Sequence, residues 1–127
     1  MATLDAKIET RFGDLVDGRI YQSGQQPKQQ TPYIDYICGV SRTVFYTHDG
    51  ASKLARYRVQ MSVFSENLNQ AKGIRDGIET AMENWHEEDS RVSRAFHETE
   101  GQDYEPDTGM YHCYADYFVW FDEAAGI

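Results

Sequence analysis

The chain has 127 residues, enough for one domain with a single core over 1–127, and its 40% hydrophobic and 26% charged residues exclude disorder as a global description. Twelve basic residues against 21 acidic ones give a net charge of −9, which disfavours a conventional nucleic-acid binder, whose cations must displace phosphate counterions. No apolar run approaches the roughly 20 residues of a membrane helix, and MATLDAKIETRF lacks the basic-then-apolar order of a signal peptide, so assembly in a cytoplasm without membrane contact is expected.

Leu4, Ile8 and Phe12 recur at intervals of four and predict a short N-terminal helix that Gly13 and Gly18 end. Gly18–Tyr21 reads as a short extended piece, and Ser23–Thr31 (SGQQPKQQT) as a polar loop. Pro32 opens a long strand, Tyr33–Tyr46, with Ile34, Tyr36, Cys38, Val40, Val44 and Tyr46 on one face and Gly39 as a bulge or bend. Asp49-Gly50 turns the chain into Leu54–Ser65. There Tyr57, Val59, Met61 and Val63 point inward, while Arg56, Arg58, Gln60 and Ser62 point outward.

Asn67 and Gln70 form a capping-box pattern ahead of a helix running to about Trp85. Ala71, Ile74, Ile78, Met82 and Trp85 make its apolar stripe, and Gly73 and Gly77 suggest a close approach to the sheet. A third strand, Arg91–Glu98, an acidic connection, Glu100–Gly109, and a last strand, Met110–Phe121, complete the chain. These elements define an α+β fold: an antiparallel sheet of about four strands, one main helix packed on one face, and a short N-terminal helix.

The last strand has two faces. Tyr111, Cys113, Ala115, Tyr117, Val119 and Phe121 belong to the core. The opposite face should be polar if it meets water, yet Tyr114, Phe118 and Trp120 are aromatic. Either another part of the chain covers them, such as the N-terminal helix, or another chain does, and aromatic residues are the usual anchors of interfaces. Arg56 and Arg58 face outward beside them, as partners for a neighbour's acids or as solvated charges that deter aggregation.

No catalytic constellation is present: there is no Gly-rich phosphate loop, no HExxH and no GxSxG. The four histidines lie outside any metal-ligand spacing, although His97 and His112 sit on consecutive strands and can approach one another. Asp103–Asp107 (DYEPD) lacks the alternating ligands and central glycine of a calcium loop. Cys38 and Cys113 lack CxxC spacing and read as small apolar residues with free thiols. No enzyme activity, metal or cofactor is therefore expected.

Three segments nevertheless carry a resemblance: GRIYQSGQQPKQQTPYIDY (Gly18–Tyr36), ARYRVQMSVFSENLNQA (Ala55–Ala71) and YEPDTGMYHCYADYFVWF (Tyr104–Phe121). In order and spacing they resemble the tail-completion or tail-terminator (head-tail joining) family of long-tailed bacteriophages and gene-transfer agents. Asp107 stands where that family's pattern has Glu, Met110 where it has Leu, and the N-terminal region looks shorter than in many relatives.

The resemblance implies a structural subunit of a virion or gene-transfer-agent particle, at the head-proximal end of the tail. Its partners would be further copies of itself in a ring, typically a hexamer, the tail tube protein and the head-tail connector or stopper. DNA would pass only in transit through an acidic lumen; the same acidity equally serves solubility. Tyr114, Phe118, Trp120, Arg56 and Arg58 are then subunit-interface candidates. Gln25, Gln26 and Lys28 in one loop, and Tyr104, Glu105 and Asp107 in the other, are candidates for contact with tube or connector. A head-side connector or stopper subunit of the same particle is the nearest alternative, and a cytoplasmic small-ligand binding module the more distant one.

Overall fold

A computed structural model of the chain describes residues 3–23, 30–46 and 53–123. In chain order these form helix α1 (Leu4–Phe12), a 3-10 turn (Gly13–Val16), strands β1 (Ile20–Gln22), β2 (Tyr33–Tyr46) and β3 (Lys53–Ser65), helix α2 (Leu68–Glu88), and strands β4 (Val92–Glu105) and β5 (Met110–Asp122). The α+β class and the two expected helices are present. The sheet has five strands, in the order β1-β2-β3-β5-β4. The added strand is β1, which pairs parallel to β2, so the sheet is mixed. Three residues are too few to show an alternation, which is why the sequence reads there only as an extended piece.

Both helices lie on one face. Leu4, Ile8 and Phe12 of α1 join Ile78, Met82 and Trp85 of α2 in a single core with the inward residues of β2, β3 and β5. Each large apolar side chain so buried contributes about 1.5–3 kcal/mol of transfer free energy. Phe12 meets Trp85 edge to face, with ring centroids 5.5 Å apart. Around this contact Lys7 pairs with Asp89 and Arg11 with Glu88, while Arg11 Nε donates to the Ala81 carbonyl at 2.9 Å. From the sheet, the Tyr36 hydroxyl donates to Glu9 Oε2 at 2.6 Å. The N-terminal helix is thus fixed to the helical layer and leaves the other side of the sheet alone.

Local signals explain most boundaries. The Thr3 side chain accepts from Ala6 N at 3.1 Å and caps α1. The Asn67 side chain accepts from Gln70 N at 3.1 Å and caps α2. The reciprocal half of the expected capping box is rerouted through buried Ser65, whose hydroxyl donates to Gln70 Oε1 at 2.6 Å and accepts from Asn67 N at 3.0 Å.

Three expectations need correction. Val40 does not share the inward face: the register shifts between Cys38 and Ser41, Gly39 has φ +86°, and Val40 is 51% exposed. The bulge turns it outward. Strand β4 does not stop at Glu98 but runs to Glu105, which absorbs more than half of the expected acidic connection. It is an edge strand whose residues are mostly exposed, so no apolar alternation marks it. Finally, Gly73 and Gly77 do not seat α2 against the sheet. Gly77 faces Leu15 of the 3-10 turn, and a β-carbon on Gly73 would meet nothing within 4 Å. Gly73→Ala is therefore expected to stabilise the fold by about 1 kcal/mol, seen as a higher denaturation midpoint with unchanged slope. A lower midpoint would contradict the open surroundings of that position.

The two thiols cannot bond to one another as the fold stands. Cys38 lies opposite Val59 and Cys113 opposite Val63, so β3 runs between them. Two strand spacings, roughly 9–10 Å, exceed disulfide reach. Burial pushes the Cys38 thiol up to about 12 and raises that of Cys113 as well, which keeps both protonated.

Candidate functional site: the uncovered face of the sheet

With both helices on one side, no element among the described residues covers the other. The register places Arg56 opposite Trp120, Arg58 opposite Phe118, and Ser62 opposite Tyr114. All five interface candidates therefore share this outer face. They sit in a wider aromatic surface whose other members the sequence reading missed. Phe45 stacks on Trp120 at 5.0 Å, Phe96 meets Phe118 at 6.3 Å, and Phe64 stacks between Tyr33 at 5.0 Å and His112 at 4.4 Å. Period-two alternation in β3 reaches Phe64 and was a usable signal for it. For Phe45 and Phe96 the bulges in β2 and β4 break that alternation.

Cations are laid over these rings. The Arg56 guanidinium lies 4.8 Å from the Phe118 centroid and 5.7 Å from that of Trp120, and Arg94 lies 5.1 Å from that of Phe96. Arg58 bridges two acids, donating to Asp116 Oδ2 at 2.8 Å and pairing with Glu98 at 3.1 Å. It is therefore engaged within its own chain. Asp116 sits in the centre of the face, 6% exposed.

Polar satisfaction on this face is incomplete. Six buried side-chain nitrogen or oxygen atoms lack a hydrogen-bond partner among the described residues, and four of them belong here: Arg56 Nε, His112 Nε2, Asp116 Oδ1 and Trp120 Nε1. Buried polar atoms in folded proteins are nearly always paired, so this concentration sets the outer face apart from the helix-covered one. Burial lowers the His112 imidazole below its ordinary range, against the opposing pull of Glu105, Asp103 and Asp35.

Tyr114 owes its flat placement to a glycine on the edge strand. Gly101 lies directly opposite, and a β-carbon there would fall 2.3 Å from the Tyr114 hydroxyl oxygen. The ring covers the backbone of Gly101, an arrangement that shields a glycine in a strand. The sequence reading placed Gly101 in a loop and missed this role.

The chain matches the family described as tail completion protein gp17 over residues 5–122. It belongs to that family. The matched span includes most of α1, so the N-terminal helix is part of the tail completion domain pattern and not an appendage. By family the protein is a structural protein of the virion tail. No curated protein matches the chain by sequence. Among solved structures, a chain described as "Virion of native gene transfer agent (GTA) particle" has a similar fold, with TM-score 0.58 and 11% identity over 94% of this chain and 90% of that one. No helix among the described residues is long and apolar enough to cross a membrane.

The loop candidates of this tail completion protein divide differently. Gln25, Gln26 and Lys28 lie outside the described residues. Tyr104 and Glu105 are the final residues of β4, and only Asp107 lies in the turn. Tyr104 is 47% exposed and packs at 4.8 Å against Tyr111 across the ladder. The turn is short because Gly109 N donates back to the Glu105 carbonyl at 2.8 Å, with Gly109 at φ +72°.

Proposed function

We propose that this tail completion protein assembles into a ring, hexameric in the simplest form, that ends the tail tube and joins it to the head connector, with DNA passing through the hole. The observation that carries this reading is the uncovered aromatic face. Its stacked, half-buried rings form a ready contact surface for another copy. A ring needs head-to-tail contacts between two different patches on each subunit. Tyr114, Phe118, Trp120 and Arg56 belong to one of them, while Arg58 acts mainly by holding Asp116 in place beneath it. The protein catalyses nothing in this role; it stops polymerisation and presents a docking surface. The net charge of −9 suits a lumen that phosphate slides past.

The tip of the β4–β5 hairpin is the proposed contact with tube or connector. Removing all of Glu100–Gly109 would delete half of an edge strand, so the informative change is confined to the turn. Replacing Pro106–Gly109 by a two-residue Asn-Gly turn is expected to leave the subunit folded. It is expected to give separate heads and tails in place of joined particles, counted by electron microscopy. Normal numbers of infectious particles from that variant would refute the hairpin tip as the contact.

A further inference from the structure

One cluster of side chains with metal-binding chemistry stands on the opposite side of the sheet from the aromatic face. His97 and Glu100 are three apart in β4, a spacing that puts residues on opposite faces of a regular strand. Here the register shifts between His97 and Thr99. As a result His97 lies opposite Tyr117 and Glu100 opposite Ala115, both on the helix side. Glu98 between them still reaches Arg58 on the outer face. Bulges that re-aim a side chain recur beside functional sites.

The re-aimed pair meets α2. One ligand atom each from Glu79, His97 and Glu100 can be chosen so that all lie within 4.8 Å of one another. His97 Nε2 is 3.1 Å from Glu100 Oε1. Two ligands held at about 2.0–2.1 Å from one ion stand at most about 4.2 Å apart, so closure needs only a small rotation of a glutamate. The second carboxylate oxygen of Glu100 is held by Arg75 at 3.1 Å, and Arg75 also donates to the Gly101 carbonyl at 3.0 Å. Ligand carboxylates are oriented by such outer partners. Two carboxylates against one guanidinium leave the cluster with a net negative charge.

A second feature lies beside the same cluster. Tyr117 is 1% exposed, and its hydroxyl has no hydrogen-bond partner among the described residues. Its ring packs edge-on against that of His97, with centroids 5.6 Å apart. A phenol hydroxyl so placed can hydrogen-bond to an ion-bound water.

We propose that Glu79, His97 and Glu100 form a binding site for one divalent first-row transition ion, such as zinc, which ties helix α2 to edge strand β4. An imidazole nitrogen with two carboxylates suits zinc and its neighbours in the row, whereas calcium and magnesium prefer oxygen alone. The sequence hid the site because it depends on a bulge and on a helix residue far along the chain. The ion would stiffen an edge strand that otherwise has a neighbour on one side only.

Zinc titration of the full chain, by calorimetry and by thermal denaturation, tests this without any need for assembly. One ion per chain is expected, with Tm raised by roughly 10 °C when zinc exceeds Kd a hundredfold. Glu79→Gln and His97→Ala are each expected to weaken binding at least tenfold, with the zinc-induced rise in Tm measured from each variant's own zinc-free value. Tyr117→Phe is expected to weaken it about tenfold through the lost outer contact. Absence of binding, or binding of equal strength in Glu79→Gln and His97→Ala, would overturn the proposal. Neither result bears on whether the chain forms a ring.

Discussion

Phe118→Glu is expected to abolish assembly while leaving the single subunit folded. In the isolated chain Phe118 is only half-buried, between Phe96 and the Arg56 guanidinium 4.8 Å away. A carboxylate placed there meets Arg56 directly and lies opposite Arg58 across the ladder. The subunit therefore tolerates it, and far-ultraviolet circular dichroism and the denaturation midpoint should stay close to those of the parent. Between subunits the outcome differs. An aromatic anchor is lost, and a charge must be desolvated where an apolar surface docked. Central aromatic anchors typically carry about 2 kcal/mol or more per contact, roughly thirtyfold in affinity. A ring repeats that loss at every subunit boundary. Light scattering on concentrated protein, or the amount of chain recovered in purified particles, reads the effect. Assembly indistinguishable from the parent would remove Phe118 from the interface.

Gly101→Val is expected to destabilise the subunit itself, by about 1–3 kcal/mol. The added β-carbon would lie 2.3 Å from the Tyr114 hydroxyl oxygen and 2.4 Å from the ring carbon that bears it. The far end of the ring has to leave the glycine, and with it goes the contact that completes the flat aromatic surface. Because Tyr114 also neighbours His112, with ring centroids 5.2 Å apart, the disturbance spreads along the stack toward Phe64. Urea denaturation measures the loss. Pairing Gly101→Val with Tyr114→Ala gives a double-mutant cycle, in which the second change should relieve most of the first. Equal costs for Gly101→Val with and without the tyrosine would show that the clash is not the cause.

How much of this was legible in the sequence depended on how far each element is buried on one side only. In β3, Tyr57, Val59, Met61 and Val63 alternate with Arg56, Arg58, Gln60 and Ser62 because one face meets the core and the other does not. In α2 the stripe from Ala71 to Trp85 was readable for the same reason, and Asn67 marked its start. The outer aromatic residues of β5 were visible as an exception to that pattern. The C-terminal half of β4 was not, since an exposed edge strand of polar residues resembles a loop. Nor was the grouping of Glu79, His97 and Glu100, which rests on a bulge. His97 and His112, which looked able to meet, are on opposite faces: His97 lies opposite Tyr117 toward the helices, and His112 stacks on Phe64 outside. Gly101 is a further case, because a glycine signals flexibility until the ring lying over it is seen.

Family membership establishes a structural protein of the tail, and the central proposal is the position and form it takes there. Electron microscopy of purified particles, with this chain located by a bound antibody or resolved directly, tests that proposal most directly. A single closed ring of this chain is expected between the end of the tail tube and the head connector, with the Phe118–Trp120 face buried between neighbouring copies. Finding the chain along the tube, at the distal tip or in the head shell, or finding that face open to solvent in the particle, would contradict it.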